Sequence, residues 1–291
     1  MNDEARAYPI QILIWHEIVN DRMGDTPVVV TFCPLCNSSV VFDRRVGDQV
    51  YEFGTSGLLR NSDLVMYDRS TESLWQQLTG EGIAGEHAGD RLTVLPSNIV
   101  SFDSFSKAFP GGRILSRETG HARRYGENPY RGYDRIGQSP FLFSGEIDER
   151  LTAMERVVAL SLQGPEGELN VAYPLRILAE RGVINDARAD TKLVLFHRGG
   201  TSSALDTSEI AEGRDVGSVG VFRPLVDGEP LVFAEINGTI RDTKTGTAWD
   251  IFGRALEGPL EGSQLEPLVH GTPFWFAWAA FKPDTVVYSP G

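Results

Sequence analysis

The sequence is short of cysteine, of long apolar runs and of positive charge, and each shortage removes a class of function. Two cysteines in 291 residues cannot build a disulfide framework, and their close spacing points to metal or redox chemistry. No stretch approaches the roughly 18 consecutive apolar residues of a membrane span, the richest being Thr272 to Phe281. The chain therefore reads as soluble. Acidic residues number 40 against 27 basic ones, a formal charge of −13 with no basic stripe, which argues against nucleic acid as a partner. Met1-Asn2-Asp3-Glu4-Ala5-Arg6 has neither a positive n-region nor an apolar h-region, so no signal peptide is visible. A cytoplasmic location is expected of a chain complete as given, and an exported one of a chain that has lost a leader. There is no Gly-x-Ser-x-Gly elbow and no phosphate loop.

What the sequence has is self-similarity. Ala7-Tyr8-Pro9-Ile10-Gln11-Ile12-Leu13 recurs as Ala172-Tyr173-Pro174-Leu175-Arg176-Ile177-Leu178, 165 residues later, and Asn20-Asp21 recurs as Asn185-Asp186. Asp68 and Trp75 pair with Asp242 and Trp249 at a shift of 174, and Phe102, Phe105 and Pro110 with Trp275, Trp278 and Pro283 at 173. Ordered matches of this kind are the mark of a duplicated unit. The expected fold is α+β, mainly β: two diverged copies of a β-rich unit with short helices, related as a pseudo-twofold duplication. The expected divisions are 1–117, a connecting segment 118–150 that is rich in Gly, Arg and Tyr, and 151–291.

Short β-branched or aromatic runs separated by Gly, Asp, Asn and Ser predict strands at Val28–Phe32, Ser39–Phe42, Gln49–Phe53, Leu64–Tyr67 and Arg113–Leu115. Gly54 to Asp63 reads as a hairpin loop. Two helices per copy are expected, one opened by Pro9 or Pro174, the other an apolar stripe over Ser101–Phe109 or Pro273–Phe281.

Concentrated chemistry lies at Cys33-Pro34-Leu35-Cys36, where the chain leaves a core strand. A thioredoxin-like dithiol needs a helix N-terminus to lower its thiol pKa, whereas Asn37-Ser38-Ser39-Val40 predicts a turn and another strand. A closed four-cysteine zinc site is excluded for want of a second pair. Two thiolates with imidazole or thioether suit copper, zinc or iron, and copper is favoured. His16 is the nearest imidazole and Met66 an optional thioether, so the candidate metal ligands are Cys33, Cys36, His16 and Met66. The second copy carries Arg181, Arg198 and Thr201 opposite His16, Cys33 and Cys36. His87, His121, His197 and His270 read as solvated. Arg60, Asp68 and Arg69 are weak candidates for binding an anionic or polar substrate, against a structural ion pair under the hairpin.

These residues also carry a family resemblance. Through Ala7-Tyr8-Pro9, Trp15-His16-Glu17-Ile18-Val19-Asn20-Asp21, Thr31-Phe32-Cys33-Pro34-Leu35-Cys36-Asn37, Leu64-Val65-Met66-Tyr67-Asp68-Arg69, Ser73-Leu74-Trp75 and Tyr125 to Tyr133, the sequence resembles an uncharacterised prokaryotic family catalogued as domain of unknown function 3179. The resemblance spans essentially the whole chain and implies domain extent, with no established activity to transfer. Members of that family often look exported or membrane-anchored. The expected function is metal binding at a Cys/Cys/His site, serving a metal-dependent oxidoreductase with a small-molecule substrate or an electron partner. Two alternatives stand beside it: a binding or scaffold module whose cysteines only pack, and a metal-free thiol-disulfide protein.

Overall fold

The computed structural model describes residues 4–290; Met1 to Asp3, half of the stretch read for a leader, and Gly291 lie outside them. The fold is β-rich with four short α-helices among the described residues. Helix α1, Ile10–His16, follows Pro9, which is the residue just before the first helical turn and not a member of it. Its inner residues Ile12, Leu13 and Ile14 are buried, and the chain turns out of the helix at Glu17. Strands Ile18–Met23, Thr26–Cys33 and Ser38–Asp43 then form an antiparallel sheet, completed by Val94–Leu95 at the far edge. A second antiparallel sheet runs Phe53–Arg60, Asp63–Asp68, Leu74–Gln76, Gly82–Ala84. Helix α2, Phe102–Ala108, is capped by Ser101, whose hydroxyl accepts from the Ser104 amide. Arg113–Ile114 closes this half beside Arg6–Ala7, in parallel.

Elements follow in the same order after residue 170. Helix α3, Leu175–Arg181, follows Pro174; a sheet of Val183–Arg188, Thr191–Arg198, Ser218–Arg223 and Glu266–Pro267 comes next, then one of Phe233–Ile236, Thr239–Asp242, Ala248–Trp249 and Ala255–Glu257. Helix α4, Trp275–Phe281, precedes Val286–Val287, which pairs in parallel with Val171–Ala172. The same side chains tie the sheets together in each half. The Asn20 amide bridges both backbone groups of Phe53, as Asn185 does for Phe233. Buried Asp68 accepts from the Thr71 amide and hydroxyl and from the Trp75 indole; Asp242 accepts from Thr245 and the Trp249 indole.

Three sequence expectations change. Gln49–Phe53 is not one strand but a short hairpin strand, Gln49–Val50, and the start of Phe53–Arg60. Gly54 to Asp63 is mostly strand and not loop. Gly54 lies in that strand because a Cβ there would sit 2.7 Å from the Tyr67 ring, and Gly57, at φ 78°, lies in the register shift between Thr55 and Leu58. The turn itself is two residues, Asn61 (φ 52°) and Ser62 (φ 67°), as in a type I′ hairpin. The helix stripes also differ: Phe102 of α2 is exposed, while Trp275 to Ala279 of α4 are buried in succession. α4 is wedged into the first half, where Phe274, Phe276 and Ala277 share a core with Cys33, Cys36 and Trp75.

Segment 118–150 is stitched to its surroundings. The amides of Asn128, Gly132 and Tyr133 donate to Ser208, Asp206 and Leu205, and buried Asp134 binds Arg156 and Arg214. Tyr130 and Tyr133 pack on the first-half core.

Because each Asp–Trp bond satisfies a buried indole, Asp68→Ala and Asp242→Ala should each cost about 2–3 kcal/mol of stability. Urea denaturation of the two variants measures this, and a loss well under about 1 kcal/mol in either would show that bond to be dispensable.

Candidate metal centre

The strand Thr26–Cys33 is buried from Pro27 to its end, so its last residue delivers a thiol to the interior. Pro34-Leu35-Cys36-Asn37 forms a four-residue hairpin loop, closed by the Cys33–Ser38 pair and by Asn37 in a left-handed conformation (φ 51°). No helix begins there, as the sequence implies. The loop is braced from the other half of the molecule: the Phe274 amide donates to the Cys36 carbonyl at 2.9 Å, and the Asn37 side-chain amide donates to the Thr272 carbonyl at 2.7 Å. Both thiols reach the Ser62 carbonyl, at 3.8 Å from Cys33 and 3.5 Å from Cys36.

The type I′ turn that supplies this carbonyl also delivers Asp63. Its carboxylate and the two sulfurs lie within 4.8 Å of one another, and all three residues are buried. Oδ2 accepts from the Gln76 side chain (2.5 Å) and the Leu78 amide (2.9 Å), while Oδ1 is buried with no hydrogen-bond partner. An orphaned carboxylate oxygen between two thiols is costly unless a cation or a proton meets it. Burial pushes Asp63 up to about 6, against the donors of Gln76 and Leu78 and the two thiols themselves. Burial likewise raises Cys36 well above the ordinary thiol value, reinforced by Cys33 and Asp63. Glu17 is raised to about 7 by burial and then by the charge of Asp63. Among the described residues no lysine or arginine forms a salt bridge with Asp63 or Glu17.

The other sequence candidates are placed elsewhere. His16 ends α1 with its Nε2 2.6 Å from the Tyr125 hydroxyl and its ring 5.4 Å from that of His121, and it is not a member of the thiol–carboxylate group. Met66 shares the buried core of Cys33 and Cys36, paired with Trp75, while alternation along Asp63–Asp68 turns it to the face opposite Asp63. Arg60 lies over the Phe281 ring, Arg69 over Tyr67, and Asp68 is consumed by its turn and Trp75, so these three do not converge on a substrate or form an ion pair. Of the remaining histidines, His121 is exposed as expected. His87 is instead buried against Tyr51 and Trp75 and bonded to Asp90; His197 and His270 are half-buried. Asp63 escapes a sequence reading because it follows the turn residues Asn61 and Ser62, and Glu17 because a single acid beside His16 looks like a solvated helix end. The one available clue is that the second half lacks both acids, with Gly182 opposite Glu17 and Thr239 opening the strand after its own hairpin turn.

Fold and centre together define a β-rich protein with a buried dithiol–carboxylate group. The chain belongs to the family described as "Protein of unknown function (DUF3179)", which matches residues 1–285. No curated protein and no solved structure matches it.

The carboxyl of Asp63 titrates near 6 in the fold against an ordinary 3.8, so its ionised form opposes folding of the metal-free protein. That penalty is absent below the ordinary value, grows as pH rises, and is complete above the raised one. Asp63→Asn, which never ionises, should gain stability over the wild type by on the order of 3 kcal/mol at about pH 7.5 relative to about pH 4. Urea denaturation of both metal-free proteins at the two pH values tests this, and a difference independent of pH would refute it.

Proposed function

We propose that the protein binds a transition-metal ion through Cys33, Cys36 and Asp63. The observation that carries this reading is the buried Asp63 carboxylate clustered with two thiols, its Oδ1 met by no donor other than those thiols and balanced by no salt bridge from a described basic side chain. The Ser62 carbonyl, within reach of both sulfurs, is the natural further oxygen donor. Two thiolates with hard oxygen suit zinc or iron(II) better than copper(I), so the preference for copper, which leaned on His16 and Met66, moves to those ions. Iron would make the centre an electron carrier for an oxidoreductase; zinc would make it a clasp between the hairpins. The near-complete burial of all three ligands favours such closed roles over an open catalytic position.

Duplication fits the same reading. The halves repeat their element order, the Asn20 and Asn185 bridges and the Asp–Trp pairs, while the donors Cys33, Cys36 and Asp63 face Arg198, Thr201 and Thr239 in the other half. One copy keeps a centre and the other supplies the wall behind it. A division at 117 and 150 is consistent with this, although α4 and segment 118–150 both pack across the boundary.

A second reading, as a binding module, has only a narrow cavity of about 50 Å³ between the halves to rest on, lined by Ile10, Asn37, Arg156, Ser203, His270 and Thr272 among others. Elemental analysis of protein purified without chelators separates the readings. One equivalent of metal per chain is expected, lost in Cys33→Ser/Cys36→Ser and weakened about 10- to 100-fold or more in Asp63→Ala. Metal absent from the wild type, with free thiols or a reversible disulfide, would overturn the metal centre in favour of the module or of thiol redox chemistry.

A further inference from the structure

Glu17 occupies a backbone conformation that glutamate avoids. It caps α1 at φ 58° and ψ −31°, a positive φ without the positive ψ of the left-handed helical basin. The corresponding cap of α3 has nearly the same geometry, φ 68° and ψ −39°, and there the residue is Gly182. Backbone bonds match as well: the Glu17 amide donates to Leu13 and its carbonyl accepts from Phe32, as Gly182 does with Leu178 and His197. The turn therefore asks for glycine in both halves. Only the half with the thiols pays that strain to keep a side chain.

The Phe32 amide donates to the Glu17 carbonyl at 2.8 Å, which sets this acid beside the strand end that carries Cys33, and the charge of Asp63 adds to burial in raising its carboxyl. In a protein without a cation there, buried Asp63 and half-buried Glu17 repel and each costs desolvation. Strain at φ and like-charge crowding are two independent penalties on the same residue. Unfavourable local choices of this sort cluster at functional sites.

We propose that Glu17 is a working part of the Cys33–Cys36–Asp63 centre, an outer carboxylate beside the thiol strand that raises the centre's affinity for a cation. The inference rests on the metal reading above and adds a positioning residue to it. Glu17 stands outside the inner group of mutually close donors, so it acts through Asp63 and through charge. Outer partners of metal ligands commonly govern affinity at the level of about 10- to 100-fold.

The test is Zn2+ titration against a competing chelator, together with thermal unfolding of the metal-free proteins at about pH 8, for wild type, Glu17→Gln and Glu17→Gly. Glu17→Gln removes the charge and keeps the shape; Glu17→Gly also relieves the backbone. Both variants are expected to bind Zn2+ about 10- to 100-fold more weakly. Without metal both should unfold at a higher temperature than wild type, Glu17→Gly by about 2 °C or more. Unchanged affinity, or metal-free variants less stable than wild type or unable to fold, would assign Glu17 a structural role and overturn the proposal. If wild type binds Zn2+, Cys33→Ser/Cys36→Ser does not, and Glu17→Gln matches wild type, this inference alone falls. If wild type takes no metal, the centre and the role of Glu17 fall together.

Discussion

Acidic groups buried without a basic partner are the constraint around which this molecule is arranged. Two thiols and the Asp63 carboxyl meet in the interior, and no described arginine or lysine forms a salt bridge with Asp63. Elsewhere in the chain the opposite solution is used: Asp134, equally buried, is held by Arg156 and Arg214. The contrast is informative because both sites lie close to the same loop. The Asn37 side-chain oxygen accepts from Arg156 at 3.3 Å, one residue beyond Cys36. Organic cations are thus available a short distance away and are kept off the thiols.

The precision of the centre comes from elements far apart in sequence. Cys33 is placed by a buried strand, Cys36 by a four-residue loop, and Asp63 by a two-residue turn. Each would wander alone. The Cys36 carbonyl is fixed by Phe274, Asn37 by Thr272, and the Ser62 hydroxyl by the Phe141 carbonyl, so α4 and the segment between the halves hold the two hairpins in mutual register. Groups held this way by packing and outer bonds are preorganised, which is what tight and selective coordination requires.

Much of the fold is legible in the sequence because its signals are local. Pro9 and Pro174 mark helix starts, and the run Val28–Phe32 is a buried β segment that few other conformations accommodate. The hairpin at Gly54 to Asp63 is misread because its glycines answer to a ring approach and a bulge, neither of which is visible without the neighbouring strand. The thiol pair is found by composition alone. Its partners are not: His16 is closest along the chain, but the turn at Glu17 leaves it beside Tyr125, and strand alternation parts Met66 from Asp63. Asp63 enters through a hairpin pairing, a contact that periodicity cannot encode. His87 looks solvated from its glycine neighbours, yet the bond to Asp90 and the Trp75 ring make its burial tolerable.

The hydrogen bond from Phe274 to Cys36 gives the architecture a mechanical character. It joins the backbone of the thiol loop to the root of α4, an element of the opposite half. A severed N-terminal half would carry every sulfur and carboxylate of the centre and still lack the surface against which they are clamped. Synthesis must therefore run past Phe274 before the thiol loop can be clamped, and the centre becomes a late-forming seal on the assembled molecule.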